Sequence, residues 1–183
     1  MKLLGLLLAM FLFLTNILLI GYFEPLYQVF QEGDQQNGLH QTLSFFRGES
    51  DLPTGFSEQE ISHLNDVKIV LGWITGIWIF AGLAVMGFMH WGNKKDISNR
   101  AGIALVGLGI VGLFLAIGFN KLFELFHRLV FPQGNWTFDV NSPIIAMFPF
   151  GFFVAAYLSI MALSLLEGLI LILLTKKQFA KKS

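Results

Sequence analysis

The sequence has 183 residues, of which 55% are hydrophobic and only 13% are charged, and its formal net charge is zero. Soluble domains carry roughly 25% charged residues, so this composition indicates a membrane protein. The chain has no cysteine, which excludes disulfides, thiolate metal sites and a cysteine nucleophile. The zero net charge gives no electrostatic reason to expect a nucleic-acid partner.

Four apolar runs are long enough to cross a bilayer, which takes about 20 residues each. They cover residues 3–22, 69–89, 101–119 and 152–174. We expect the first run to be retained as an anchor, because it is longer than the apolar part of a signal peptide. The runs predict an all-α membrane protein with four transmembrane helices, forming a single membrane domain over residues 1–183.

Basic residues concentrate on one side of these runs and predict the orientation of the chain. They are Lys2, Lys94, Lys95, Arg100, Lys176, Lys177, Lys181 and Lys182. Lysine and arginine mark the cytoplasmic side, so both termini should be cytoplasmic. Residues 23–68 and 120–142 then lie on the opposite side, where we expect them to form a small extracytoplasmic cap.

The first cap segment contains a polar stretch, residues 31–38, that ends in Asn37-Gly38. This dipeptide is typical of a hairpin turn. Residues 39–46 fit either a short strand or a short helix, and the pattern does not decide between them.

A capping box at Ser57 and Glu60 marks the start of a helix, because serine at the N-cap and glutamate three residues later satisfy each other's backbone amides. Neither proline nor glycine follows until Gly72. We therefore predict one helix from about Glu58 to about Met89.

A histidine lies on this helix just outside the apolar run. His63 precedes Ile69 by six residues, or about 9 Å at 1.5 Å per residue. Asp66 follows three residues later and shares its helical face.

The third run has the same arrangement beyond its C-terminal end, where a helix extends out of the apolar run and carries a histidine. The chain can continue as helix from Phe119 until Pro132 stops it. His127 then lies about 12 Å beyond Phe119. Glu124 precedes it by three residues, on the same face.

Two histidines with neighbouring carboxylates suggest general acid/base chemistry, because the unperturbed pKa of imidazole lies near 6.5. Two other interpretations stay open. The histidines can be ordinary interfacial residues, since carboxylates at this spacing are common. Two histidines and two carboxylates can also bind zinc, but the spacing matches no compact metal signature.

Small and polar residues inside the runs have structural interpretations. Glycines at 107, 109 and 112, and at 72 and 76, are typical of helix-packing positions. Glu167 is the only acidic residue within a run. Such a carboxylate has a polar partner, for which Asn16 is a candidate, or extends its side chain to the membrane surface, or has a function.

Two blocks of the sequence resemble a family of bacterial integral membrane proteins. The first is residues 56–68, which include Glu60, His63, Asp66 and Lys68. The second begins with Phe126-His127-Arg128 and continues through residues 135–139 and 144–149. The family includes the lipoprotein intramolecular transacylases, Lit.

The resemblance implies a fold, a location and an activity. Members have four transmembrane helices and an extracytoplasmic cap, and lie in the bacterial cytoplasmic (inner) membrane. They move the sn-2 acyl chain of a diacylglyceryl-cysteine lipoprotein to the α-amine of the same cysteine. The implied partners are that lipoprotein and membrane lipid, with no cofactor and no metal, and the implied catalytic residues are His63 and His127.

Other residues near the histidines receive supporting roles on this interpretation. Asp66 and Glu124 are candidates to orient the two rings, and Arg128 or Asn135 to stabilise an oxyanion. The aromatic residues expected to hold acyl chains and exclude water are Trp73, Phe126, Phe131, Trp136 and Phe138.

The chain departs from the family pattern at Asn141-Ser142 and at Phe150-Gly151. These departures leave open a non-enzymatic membrane assembly or sensing protein of the same fold. A further alternative, which does not depend on them, is a membrane hydrolase with a metal at the histidines.

Overall fold

The computed structural model describes residues 2–30, 36–89 and 92–180, and every regular element in these ranges is helical. Residues 31–35 of the polar stretch and the basic residues Lys181 and Lys182 lie outside the described ranges. The helices are α1 (Lys2–Gly21), α2 (Glu24–Gln28), α3 (Gln36–Arg47), α4 (Glu58–Met89), α5 (Lys94–Leu115), α6 (Phe119–Val130), α7 (Pro143–Met147) and α8 (Phe150–Ala180).

Four described segments are long and apolar enough to cross a membrane: Lys2–Gly21, Glu58–Phe88, Lys94–Val130 and Phe150–Lys177. The prediction of an all-α, multi-pass membrane protein is confirmed. The third segment joins α5 to α6 through a 3-10 turn, Ala116–Gly118, so the helical continuation expected beyond Phe119 is present. It ends at Val130, before Pro132.

The predicted capping box forms at the start of α4. The Ser57 backbone N–H donates to Glu60 Oε2 at 2.7 Å, and the Glu60 N–H donates to Ser57 Oγ at 3.3 Å. Glu60 does more than cap, because its other oxygen accepts the N–H of Ile144 at 3.1 Å. Glu60 is 3% exposed, and its carboxylate links the start of α4 to α7.

The hairpin turn predicted at Asn37-Gly38 is wrong, because both residues belong to α3. A helix puts Leu39 and Leu43 on one face, and both side chains are fully buried. The hydroxyl of Thr42 donates to the Gly38 carbonyl. The burial of this apolar face outweighs the local turn preference, and residues 39–46 are helical.

The described chain divides into two compact units. The first comprises Met1–Ile20, Ile74–Ile117 and Tyr157–Ser183. The second comprises Gly21–Trp73 and Gly118–Ala156. Both histidines belong to the second unit.

Within the first unit, α5 and α8 approach until their backbones touch. A Cβ added to Gly102 would lie 2.8 Å from the Gly168 carbonyl oxygen. One added to Gly109 would lie 3.0 Å from the Met161 carbonyl oxygen. Only glycine allows this approach. The packing interpretation is therefore supported for Gly109 and Gly112, whereas a Cβ added to Gly72, Gly76 or Gly107 would meet no atom of the described residues within 4 Å, so these three are not packing positions between the described helices.

The carboxyl group of Glu167 has the partner expected for it. Asn16 on α1 donates to Glu167 Oε2 at 3.0 Å and to Ser164 Oγ at 3.3 Å. Asn16 and Ser164 are both buried. These bonds join α1 to α8 and give the intramembrane carboxylate a structural role.

Candidate histidine site

The second unit brings the two histidines together from separate helices. His63 comes from the first turns of α4, and His127 from the last turn of α6. Their ring centroids lie 6.0 Å apart with the planes at 29°. Their exposed fractions are 7% and 8%, so the pair is almost closed to solvent.

Aromatic rings surround the pair. Phe131 contacts both histidines, with centroids 4.7 Å from His63 and 5.5 Å from His127. Phe138 lies 5.5 Å from His63. Trp136 and Phe126 lie 5.2 and 5.3 Å from His127. Four of the five aromatic residues singled out in the sequence therefore meet at the histidines.

Trp73 does not belong to this cluster. It is ten residues beyond His63 on α4, or about 15 Å along the helix. Its side chain is 71% exposed, and it makes no ring contact with any residue in the described ranges.

Phe123 is a contact that the sequence interpretation missed. Its ring centroid lies 4.1 Å from that of His127, and its carbonyl oxygen lies 2.8 Å from His127 Nδ1. A carbonyl can only accept, so Nδ1 carries the proton. In the neutral ring, Nε2 is then left with its lone pair. The i−4 spacing on α6 is the signal that would have found this contact.

Glu124 has a different partner from the one expected. It forms a salt bridge with Arg128 one turn later, and the two side chains are 50% and 69% exposed. The place beside His127 Nδ1 is taken by the Phe123 carbonyl. Glu124 therefore does not orient this ring.

Asp66 is bound by the loop that follows α6, residues 131–142. Its Oδ2 accepts from Asn135 Nδ2 at 2.7 Å and from Gln133 Nε2 at 2.6 Å. The same Asn135 nitrogen donates to Ser62 Oγ at 3.0 Å. Both amide protons of Asn135 are thus engaged, which leaves none for an oxyanion.

Two buried atoms at this site lack a hydrogen-bond partner among the described residues: Nδ1 of His63 and Oδ1 of Asn135. The Asn135 side chain lies near the His63 ring and acts to raise its pKa, opposing the larger lowering of that pKa by burial, although no hydrogen bond between the two is formed. Buried polar atoms are rarely left unpaired. A small rotation that pairs them would satisfy both, with Nδ1–H as the donor.

No group of three or more histidine, aspartate or glutamate side chains that could hold a metal ion occurs in the part of the chain that the structure describes. The metal-dependent alternative therefore lacks a donor set there. The two imidazole rings instead lie close together among aromatic side chains, an arrangement that is suited to moving protons.

Comparison with known proteins identifies related chains. A family model described as "Lipoprotein intramolecular transacylase Lit" matches residues 31–153. An uncharacterized protein of Aquifex aeolicus (strain VF5) is 28% identical over 129 residues, which are 64% of this chain and 55% of that protein. The match thus spans about half the length of that relative.

Solved structures of the membrane integral lipoprotein intramolecular transacylase Lit from Bacillus cereus share the fold. One superposes with a TM-score of 0.84 and 24% identity, covering 98% of this chain and 94% of that one. Two variants of the same protein, with one histidine replaced by arginine or by alanine, each give a TM-score of 0.72. Their identities are 22% and 21%. At these identities the likeness shows the fold.

Proposed function

The chain belongs to the lipoprotein intramolecular transacylase Lit family, whose model matches residues 31–153, and we propose that it transfers an acyl chain within a diacylglyceryl lipoprotein. A transacylase-like function follows from the family. Our further proposal is that the sn-2 acyl chain moves to the α-amine of the N-terminal cysteine, leaving an N-acyl, monoacylglyceryl lipoprotein. The observation that carries this proposal is the buried pair His63 and His127, which lie within the matched region with their ring centroids 6.0 Å apart.

The proposed reaction is balanced without a cofactor. The amine nitrogen attacks the ester carbonyl, so a C–N bond forms and the C–O bond to glycerol breaks. The nitrogen loses one proton and the departing glycerol oxygen gains one, which makes the overall change an isomerisation. If the amine enters as ammonium, one further proton leaves before attack. The rate gain should come mostly from holding amine and ester together.

The histidines can supply both proton transfers. In the neutral His127 ring, Nδ1 is held by the Phe123 carbonyl, so Nε2 can only accept. The neutral His63 ring has the same tautomer, with the proton on Nδ1, if its Nδ1–H donates to Asn135. A neutral pair of this kind has no acidic Nε2 proton. The histidine that protonates the glycerol oxygen must therefore first receive a proton from the amine.

Asp66 and Asn135 act together in this proposal. Asp66 binds the amide of Asn135 at 2.7 Å, and Asn135 in turn orients His63. Arg128 remains the candidate for the oxyanion, because it has five donors and Glu124 engages only part of them. Glu124 then positions Arg128 through their salt bridge.

The aromatic residues around the pair would contact the acyl chains and exclude water, which limits hydrolysis of the ester. Phe126 is 48% exposed, and can meet a chain that enters from the lipid. Trp73, about 15 Å along α4 from His63, can contact only the distal part of an acyl chain.

The proposed setting is the bacterial cytoplasmic (inner) membrane. Both termini would be cytoplasmic, and residues 23–68 and 120–142 would form the extracytoplasmic cap of a single membrane domain. The distribution of basic residues supports this orientation. The lipoprotein substrate is anchored on that same outer side.

Histidine substitutions test the proposal directly. The chain would be expressed in a bacterium that makes only diacylglyceryl lipoproteins with a free α-amine. Fragmentation mass spectrometry would then locate the acyl chain, since total mass does not change. We expect His63→Ala and His127→Ala each to reduce conversion at least about 100-fold, because general acid/base catalysis typically contributes 10²–10⁴-fold.

His40→Ala provides a matched control. His40 is an exposed histidine of the same unit, 3.1 Å from Glu24, and its loss should leave conversion unchanged. Conversion that survives in both site variants would refute the histidine chemistry. An unchanged lipopeptide with folded, membrane-inserted wild-type chain would refute the transfer itself.

A further inference from the structure

The first unit contains a cavity of about 160 Å³ between the start of α5 and the end of α8. It is remote in sequence from the histidines, and the proposed reaction does not use it. Its lining residues are Lys94, Lys95, Ser98, Leu171, Leu174 and Thr175.

The cavity lies next to the closest contact between these helices. Gly102 and Gly168 bring the two backbones together, since a Cβ on either would meet the carbonyl oxygen of the other at 2.8 or 2.7 Å. Ser98 is one turn before Gly102, and Leu171 is one turn after Gly168. Beyond the glycines, larger residues replace the backbone contact, and a space remains between the helices.

The cavity lining is charged and polar on α5 and mostly apolar on α8. Lys94 and Lys95 precede the apolar run of α5, which begins at Ala101. Leu171 and Leu174 belong to the last turns of the apolar run of α8. The cavity therefore lies at a boundary between polar and apolar surroundings. A matching occupant has a negative group joined to an apolar part.

The charges around the cavity favour an anion. Asp96, the one acidic residue near these lysines on α5, is engaged by Arg100 at 2.8 Å. Lys94 is exposed and forms no salt bridge with any residue in the described ranges. The α5 amides of Lys95 and Asp96 are capped by the Asn93 side chain. Two further basic residues, Lys176 and Lys177, follow directly on α8.

We propose that this cavity binds an anionic phospholipid, with the phosphate at Lys94 and Lys95 and an acyl chain against Leu171 and Leu174. Basic pockets between transmembrane helices on the cytoplasmic side bind anionic headgroups in this way. Ser98 adds a hydroxyl donor to the phosphate. The proposal does not depend on the acyl-transfer reaction.

The test uses the purified full-length chain in a neutral detergent. Binding of phosphatidylglycerol is compared with that of phosphatidylcholine of the same acyl composition, by native mass spectrometry. We expect phosphatidylglycerol to bind at least about tenfold more tightly. Lys94→Gln with Lys95→Gln should remove most of this preference. The matched control, Lys176→Gln with Lys177→Gln, removes the same charge outside the cavity and should retain it.

A cavity-filling variant checks the site without changing its charge. Ser98→Leu should weaken phosphatidylglycerol binding while the protein retains its fold, as judged by its thermal unfolding midpoint. Equal binding of the two lipids would overturn the proposal. So would an equal effect of the two lysine pairs, which indicates attraction to the charged surface alone. Displacement of the lipid by millimolar inorganic phosphate would show that a soluble anion is the ligand and would also overturn it.

Discussion

The two imidazole rings differ in the kind of acceptor available to orient them. His127 has its Nδ1 at 2.8 Å from the backbone carbonyl of Phe123, an acceptor that no side-chain substitution removes. For His63 the proposed acceptor is the side chain of Asn135, because His63 Nδ1 and Asn135 Oδ1 are both buried without a hydrogen-bond partner among the described residues. The orientation of His63 is therefore the more sensitive of the two to mutation.

We expect Asn135→Ala to lower kcat for acyl transfer by roughly 10- to 100-fold, part of the contribution that general acid/base catalysis makes. KM should change little, because Asn135 acts through His63 rather than on the substrate. The measurement is the initial rate of acyl relocation over a range of lipopeptide concentrations in detergent micelles.

Gln133→Ala is the matched comparison for Asn135. Gln133 also donates to Asp66, at 2.6 Å, but forms no hydrogen bond with His63 or His127. Its loss should leave kcat within a few-fold of wild type. If the two variants lose activity equally, Asn135 serves only to hold the loop, and its positioning role is excluded.

The residue types of the site could be predicted from the sequence, but not all of their contacts. Helical spacing predicts Asp66 close to His63, and the charge of Asp66 does act on that ring. The spacing does not reveal which neighbour each carboxylate prefers. Glu124 binds Arg128 on its own helix, and Asp66 binds amides that lie 67 and 69 residues away in sequence. Only the tertiary fold brings those amides into place.

At the level of elements, strong local signals gave correct predictions and weak ones did not. The capping box and the uninterrupted run after it predicted α4 with the bounds that it has, Glu58–Met89. The short α3 was not predicted, because its helical form depends on burying Leu39 and Leu43 against distant residues. Gly38 shows this dependence, since its nearest neighbour outside its own helix is Met147.

The glycine contact between α5 and α8 can be tested with a pair of identical substitutions. Gly102→Ala should lower stability by roughly 1–3 kcal/mol, because the new methyl would lie 2.8 Å from a backbone oxygen and force the helices apart. Gly107→Ala makes the same change five residues later on α5, where nothing lies within 4 Å. It should be neutral or stabilising.

The measurement for this pair is the thermal unfolding midpoint in a fixed detergent. The two variants share their effect on helix propensity, so the difference between them reports the packing contact alone. A Gly102→Ala protein as stable as Gly107→Ala would show that α5 and α8 do not pack as closely as described.

For the whole molecule, the apolar surfaces agree with a membrane setting. Only 6% of the apolar window of α4 is buried within the chain, against 22% for each of the other three spans. Side chains such as Phe80 and Met86 are 70% and 69% exposed. Lipid is the environment in which such a helix face is stable. The number of spans was predictable for the same reason, since each run is long and nearly uncharged.

The absence of cysteine allows the orientation to be tested by single-cysteine labelling. The variants are Asp51→Cys, Asn141→Cys and Lys176→Cys, all at exposed positions. In spheroplasts, a membrane-impermeant maleimide should label the first two and spare the third. Lysis should make all three reactive, which is the control for accessibility. Labelling of Lys176→Cys before lysis would show that the topology is the reverse of the predicted one.

The loop between α6 and α7 has a consequence for how such proteins diverge. Its residues Gln133, Asn135, Trp136 and Phe138 reach α4 or one of the two histidines. A substitution in α4 or α6 alters one ring at a time, whereas an insertion or deletion in this short stretch changes the surroundings of both together. Differences in loop length between relatives should therefore mark changes in the lipid they accept more reliably than differences in the helices do.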